Sequence, residues 1–159
     1  MIKMTKNKKN ISLKNITKND LPIIIKWRNK EDIRDYNTQF VLLNLKIQEN
    51  WFEQIKGEKD RKMFLINYKN RKSIGVCGLI NLDFNNHNAE IAIIIGERKF
   101  QGKGIGKEAL INLLNYGFQK LNLHRISADV FEFNVTSQKF FESLDFQYEY
   151  SARQKLWRR

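Results

Sequence analysis

The chain has 159 residues, with 29 Lys and Arg against 17 Asp and Glu, a net charge of +12 and a single cysteine. This length argues for one domain with a sizeable core. The lone cysteine excludes a disulfide framework and any multi-cysteine zinc site, and no apolar run approaches the roughly 20 residues that span a bilayer. The charge excess sits at the two ends. Residues 1–30 hold nine Lys/Arg against Asp20 alone and residues 151–159 hold four against none, whereas residues 31–150 hold sixteen of each sign. A nucleic-acid groove more often carries its charge on the folded body, interleaved with aromatics. Residues 1–10 are therefore read as a solvated basic tail and 11–159 as the domain, with neither a nucleic-acid nor a membrane partner expected. No apolar block follows the N-terminal charges, which predicts a cytoplasmic protein without a secretory signal.

Ile11–Leu13 reads as a first strand. Thr17, Asp20 and the early Pro22 form a capping signature that starts a helix over Leu21–Asn29. Ile47, Trp51 and Ile55 recur every four residues and predict a second amphipathic helix. Met63–Tyr68 and Ser73–Asp83 read as a hairpin turned at residues 69–72, with Gly75 and Gly78 leaving room for close backbone approach. Ala89–Ile95 carries four isoleucines in seven residues, a heavily β-branched run that suggests a strand buried within a sheet. After a glycine-rich segment, helical spacing runs from Lys107 to Leu121. His124–Phe131 reads as a strand, Val135–Leu144 as a helix capped by Asn134, and Phe146–Arg153 as a final strand. The fold class is therefore α+β, a mixed sheet with about four helices.

The chemistry concentrates in Gln101-Gly102-Lys103-Gly104-Ile105-Gly106. The segment follows a strand and opens a helix, so bare glycine amides and the helix dipole form a nest suited to a phosphate or diphosphate. Lys103 and Lys107 add full charges. A P-loop requires glycine where Gln101 stands and a hydroxyl residue where Glu108 stands. A dinucleotide fingerprint requires GxGxxG after an early strand. Neither fits.

The pattern Gln-x-x-Gly-x-Gly resembles the acetyl-coenzyme A diphosphate loop of the GNAT superfamily of N-acetyltransferases. The resemblance extends over about residues 11–153 through Trp27-Arg28-Asn29, Asn50-Trp51-Phe52, Ile74-Gly75, Ala89-Glu90-Ile91, Leu121–Ile126 and Asn134 with Phe141-Glu142. The branch it is similar to contains ribosomal-protein N-terminal, spermidine and nucleotide-amino-sugar acetyltransferases. The resemblance implies a mostly antiparallel twisted sheet splayed between strands 4 and 5, with acetyl-CoA as cosubstrate and no metal. It implies that Ile93, Ile94 and Ile95 present a backbone edge to pantetheine. It further implies that Gln101, Gly102, Lys103, Gly104, Ile105, Gly106 and Lys107 hold the diphosphate, and that Asn134 contacts the pantetheine arm.

Glu90 corresponds to a carboxylate this branch often uses as general base through water; it also reads as half of a cross-strand ion pair. Glu132 is the second choice. The family builds its acceptor pocket from the first two helices, which makes Trp27, Arg28 and Asn29 candidate acceptor residues, although Trp27 and Trp51 also read as core. The preferred acceptor is a small amine such as a nucleotide-linked amino sugar. A protein N-terminus, a polyamine, or a non-catalytic acyl-CoA-binding role are alternatives.

Two residues depart from the family. Phe141 stands where a tyrosine commonly protonates the leaving thiolate, and nothing in the sequence places Tyr148 or Tyr150 there instead. Asp145 stands where a helix-ending glycine is usual, and is expected to adopt a left-handed conformation with some strain. Cys77 and His124 read as structural and His87 as solvent-facing. The chain stops where the family continues into another strand. This leaves Phe146–Arg153 as an open edge and suggests either a truncated sequence or a homodimer that covers that edge.

Overall fold

The computed structural model describes residues 10–156; the basic segment preceding Asn10 and residues 157–159 lie outside the described residues. One five-stranded sheet runs in sequence order through β1 (Ile11–Asn15), β2 (Lys62–Tyr68), β3 (Lys72–Asp83), β4 (Asn88–Ile95) and β5 (Arg125–Ser127). The first four strands are antiparallel and β5 joins β4 in parallel. The helices are α1 (Leu21–Arg28), α2 (Glu31–Arg34), α3 (Leu45–Gly57), α4 (Ile105–Asn115) and α5 (Val135–Glu142), with one wider π turn continuing α4 over Tyr116–Lys120.

The mixed α+β class, the predicted hairpin and the helix entrance after β4 all appear. Lys69 and Asn70 turn the hairpin at φ of 50° and 55°. Both strand glycines are needed for close approach: a Cβ at Gly75 would lie 2.2 Å from the Ile94 carbonyl oxygen, and one at Gly78 would lie 2.4 Å from that of Lys62. Asp145 takes φ 63° as expected, and the Phe146 amide bonds back to the Phe141 carbonyl at 3.2 Å, closing α5 in the glycine-type manner.

Two layers cover the sheet. On one face β3 and β4 pack through Ile74, Cys77, Leu79 and Ile91 against Ala109, Leu110, Leu113 and Leu114 of α4. On the other, Ile24 and Trp27 of α1 and Ile33 of α2 meet Leu65 and Ile94. Glu108 and Asn112 tie α4 to the outer strand. The Glu108 Oε1 accepts from the Asn10 and Ile11 amides at 2.8 and 3.0 Å, and the Asn112 amide donates to the Ile11 carbonyl at 3.0 Å.

Four local expectations need correction. The second predicted helix is α3, started by the Asn44 side chain accepting from the Ile47 amide, but it buries Gln48 and Phe52 while Ile47 is exposed. The helix is rotated from its predicted stripe because the core it meets selects the Phe52 face. The most buried strand is β3, not β4, whose residues Ala92–Ile95 stay half-buried. The strand predicted over His124–Phe131 pairs only over Arg125–Ser127, because it diverges from β4 beyond the Glu90–Ser127 pair. Finally, Phe146–Arg153 makes no ladder among the described residues. Within it Glu149 pairs with Arg125 of β5 (2.6 Å for the longer of two bonds), and just beyond it Lys155 pairs with Asp129 on the segment after β5. Tyr148 and Tyr150 are 77% and 68% exposed, so the alternating aromatics find a core partner only at Phe146, which packs on Phe141.

Candidate active site

The end of β4 offers one unpaired backbone edge. In an extended strand the N–H and C=O of successive residues point to opposite sides. The Ile94 carbonyl faces Gly75, and the Gly96 amide donates to Ile74 O at 2.9 Å, so the even-numbered peptide groups face β3. The odd-numbered groups face the other way: the Ile95 carbonyl accepts from the Gln101 side-chain amide at 2.8 Å, and His87 O accepts from the His124 amide at 2.7 Å on the β5 side. Since β5 leaves after Ser127, the N–H groups of Ile93 and Ile95 point into the opening with no strand opposite among the described residues. Ile94 is oriented toward β3, and its side chain packs with Trp27 and Leu65.

The glycine segment forms the wall of this opening. Gly102 and Gly104 take φ of 69° and 74°, and Gly104 sits directly before α4. Glycine is favoured at both, since a side chain there would be strained although the surrounding space is open. Gln101 through Gly104 are exposed, with amides at a helix entrance where an anion is favoured. Ile105 and Gly106 form the first turn, half-buried beside Phe140 and Ile95. Lys103 is exposed. Lys107 is turned toward the end of α5, where its ammonium donates to the Ser143 carbonyl at 2.7 Å. The donor set, bare amides with cations nearby and no side chain blocking approach, fits a diphosphate.

On the opposite wall stand α1 and α2. Trp27 is fully buried, its ring against Gly96 and its Nε1 donating to Glu97 Oε1 at 3.0 Å. It has no surface to offer an acceptor, so its candidate role as an acceptor residue is replaced by a structural one. Arg28 donates to the Gln39 side chain at 3.0 Å, and burial pulls its guanidinium pKa down. Asn29 exchanges two 2.8 Å hydrogen bonds with the Leu43 peptide group, pinning the loop between α2 and α3. Sequence reasoning passed over Lys30, which donates to the Gly96 carbonyl at 2.5 Å. A cleft of about 660 Å³ runs between these elements. Lys30, Glu31, Asp32, Asp35 and Tyr36 line it from α2, and Gly96, Arg98 and Gln101 line it from the end of β4. It reaches from α2 to Gln101, the first residue of the glycine segment.

Glu90 is half-buried and pairs across to Ile80 and Ser127. By strand alternation it shares its face with Ile94, the face that α1 and α2 cover, and it lies about 13 Å along the strand from Ile94. The Lys155 ammonium, whose pKa is raised chiefly by its bond to Asp129, also feels the Glu90 carboxylate. Glu132 is exposed on the loop after β5, its carbonyl taking the Gln138 amide at 2.8 Å. Asn134 caps α5, its side-chain oxygen accepting from the Ser137 amide at 3.1 Å. Phe141 is packed edge-on against Phe140 and Phe146, part of the core beneath α4. The Tyr148 hydroxyl pairs with Ser151 at 2.7 Å.

A mixed sheet that opens between its fourth and fifth strands, beside a glycine-rich helix entrance, defines the splayed-sheet class that the sequence resemblance implied. A model of the acetyltransferase (GNAT) domain matches residues 10–147, and the chain belongs to that family. It is 40% identical over 107 residues to the uncharacterised N-acetyltransferase p20 of Bacillus licheniformis, covering 67% of this chain and 53% of p20, so the chain spans about half the length of that relative. It is 24% identical over 140 residues to the acetyltransferase PseH of Campylobacter jejuni, covering 86% and 84% of the two chains. In fold it is similar to the spermidine N-acetyltransferase of Vibrio cholerae solved with CoA and spermine, with a TM-score of 0.87, 23% identity, and 94% and 88% of the chains covered.

Proposed function

We propose that the protein is an acetyl-CoA-dependent N-acetyltransferase that moves an acetyl group directly to a primary amine of a small molecule, with a nucleotide-linked amino sugar as the preferred acceptor class. The observation that carries this reading is the outward Ile93 and Ile95 amide edge next to the Gln101–Gly106 helix entrance, with a cleft against α2 that reaches Gln101. Acetyl-CoA supplies the activated thioester. The Ile93 and Ile95 amides bind its arm, the amides of Gln101 to Gly106 bind its diphosphate, and Asn134 borders the arm from the start of α5. Lys103 strengthens anion binding, and Lys107 joins it on release from Ser143 O.

An ammonium cannot attack until it loses a proton. Glu90 accepts that proton through water along the α1-side face of β4, with Glu132 the alternative. The Phe141 ring is packed in the core and has no proton to give, so the leaving thiolate takes its proton from water. The cleft mixes carboxylates (Glu31, Asp32, Asp35) with cations (Lys30, Arg98). That mixture suits an acceptor bearing both an ammonium and an anionic group. The carboxylates by themselves favour a second reading, a polyamine. In either reading a second copy of the chain is expected to cover the open edge at Phe146–Arg153, tested by the solution mass.

Release of free CoA across a panel of amino sugars, peptides and polyamines tests the function. Release with a nucleotide-linked amino sugar is expected. Thermal stabilisation by acetyl-CoA, about 2.7 kcal/mol near 100 times Kd, with no release from any amine would instead mark a non-catalytic binder.

A further inference from the structure

We infer that Lys30 is a positioning residue that holds the amide edge of β4 in register from the acceptor side, together with the Trp27–Glu97 pair. The inference rests on the functional reading above for its purpose, but its geometry is independent of it. Past Glu90, β4 has a ladder on one side only. A strand end supported on one edge opens locally at low cost, yet the outward N–H groups of Ile93 and Ile95 serve a ligand only if they keep one orientation.

Past the ladder the strand end is fastened by one carbonyl of β3 and by two side chains from outside the sheet. Gly96 N and Glu97 N both donate to Ile74 O, at 2.9 and 3.1 Å. The Trp27 indole occupies the space over Gly96 and donates to Glu97. Lys30 closes the set, its ammonium on the Gly96 carbonyl. A charge-assisted bond of this kind is stronger than a neutral one. Lys30 stands at the N-cap of α2, half-buried, and the same side chain lines the cleft. One cation therefore touches both the cleft and the Gly96–Glu97 peptide group, one residue beyond the end of β4. Gly96 tolerates this arrangement because it has no side chain to separate the indole and the ammonium from the backbone.

The test compares Lys30→Met, Lys30→Arg and Trp27→Phe with the wild type by amide hydrogen exchange in the ligand-free protein. Loss of a hydrogen bond to a charged group predicts about tenfold faster exchange of the Gly96 and Glu97 amides, both bonded to Ile74 O, in Lys30→Met, with exchange elsewhere unchanged. Lys30→Arg restores the slow rate, and Trp27→Phe, which lacks the indole N–H, speeds the same amides. In steady-state assays Lys30→Met raises KM for acetyl-CoA, with a smaller change in kcat. Exchange of the Gly96 and Glu97 amides equal to the wild type in both Lys30→Met and Trp27→Phe overturns the inference. Failure of the functional reading is seen separately, as an absence of acetyl transfer in the wild type while the exchange differences persist.

Discussion

The Trp27 indole occupies the space that a side chain at residue 96 would need: a Cβ built on Gly96 would lie 2.1 Å from its Cγ. Trp27 is fully buried and hydrogen-bonded to Glu97, so it has nowhere to retreat. Gly96→Ala is therefore expected to destabilise the fold by about 1–3 kcal/mol, the usual range for overpacking a filled core. Denaturant titration with an unchanged slope and a lower midpoint checks this.

The same pair sets an acid-side pH dependence. The indole N–H bonded to Glu97 holds its carboxyl below the ordinary range, helped by Lys72, Lys30 and Lys26 and opposed by partial burial. A carboxylate with a lowered folded-state pKa adds stability above its unfolded value and loses it as pH falls through the folded one. Glu97→Gln is expected to be less stable than the wild type at pH 7, and the difference should shrink as the pH falls below the ordinary carboxylate range. Thermal melts of both proteins across pH 3–7 measure it, and a gap independent of pH would remove the Glu97 charge from the account.

Asp145 ends α5 at φ 63°, where its Cβ crowds the backbone. Asp145→Gly removes that cost at the price of a more flexible unfolded chain. A net stabilisation of up to about 1 kcal/mol is expected, read as a higher melting temperature with no change in acetyl-CoA affinity.

Cys77 lies wholly within β3, and burial pushes its thiol pKa up to about 12. The thiolate is the reactive form, so a thiol reagent at pH 7 should leave the folded protein unlabelled and modify it stoichiometrically in denaturant. Rapid labelling of the native chain would contradict this placement.

The parts of the fold legible in the sequence are those set by local chemistry. Apolar runs on either side of the polar Lys69–Lys72 turn define the hairpin, glycines mark the entrance to α4, and Asn134 marks the start of α5. The rotation of α3 was not legible, because the helix stripe is read without knowing which core it meets. Nor was the early end of β5, which depends on its divergence from β4, or the failure of 146–153 to pair, which leaves Tyr148 and Tyr150 in solvent. At the site, the glycine segment could be read because its residue types are needed for its backbone. Lys30 and Glu97 could not, since each acts through a partner more than sixty residues away in sequence. The alternation that turns Ile94 toward Gly75 appears only once the register with β3 is known.

Acetyl-CoA is expected to bind along the outward Ile93 and Ile95 amides and at the neighbouring Gln101–Gly106 entrance. Amide resonances followed during an acetyl-CoA titration test it most directly. Saturable shifts and slowed exchange are expected at Ile93, Ile95 and Gly102–Gly106, with Ile94 much less affected. Saturable binding that leaves these amides unchanged, or no binding at all, would contradict it.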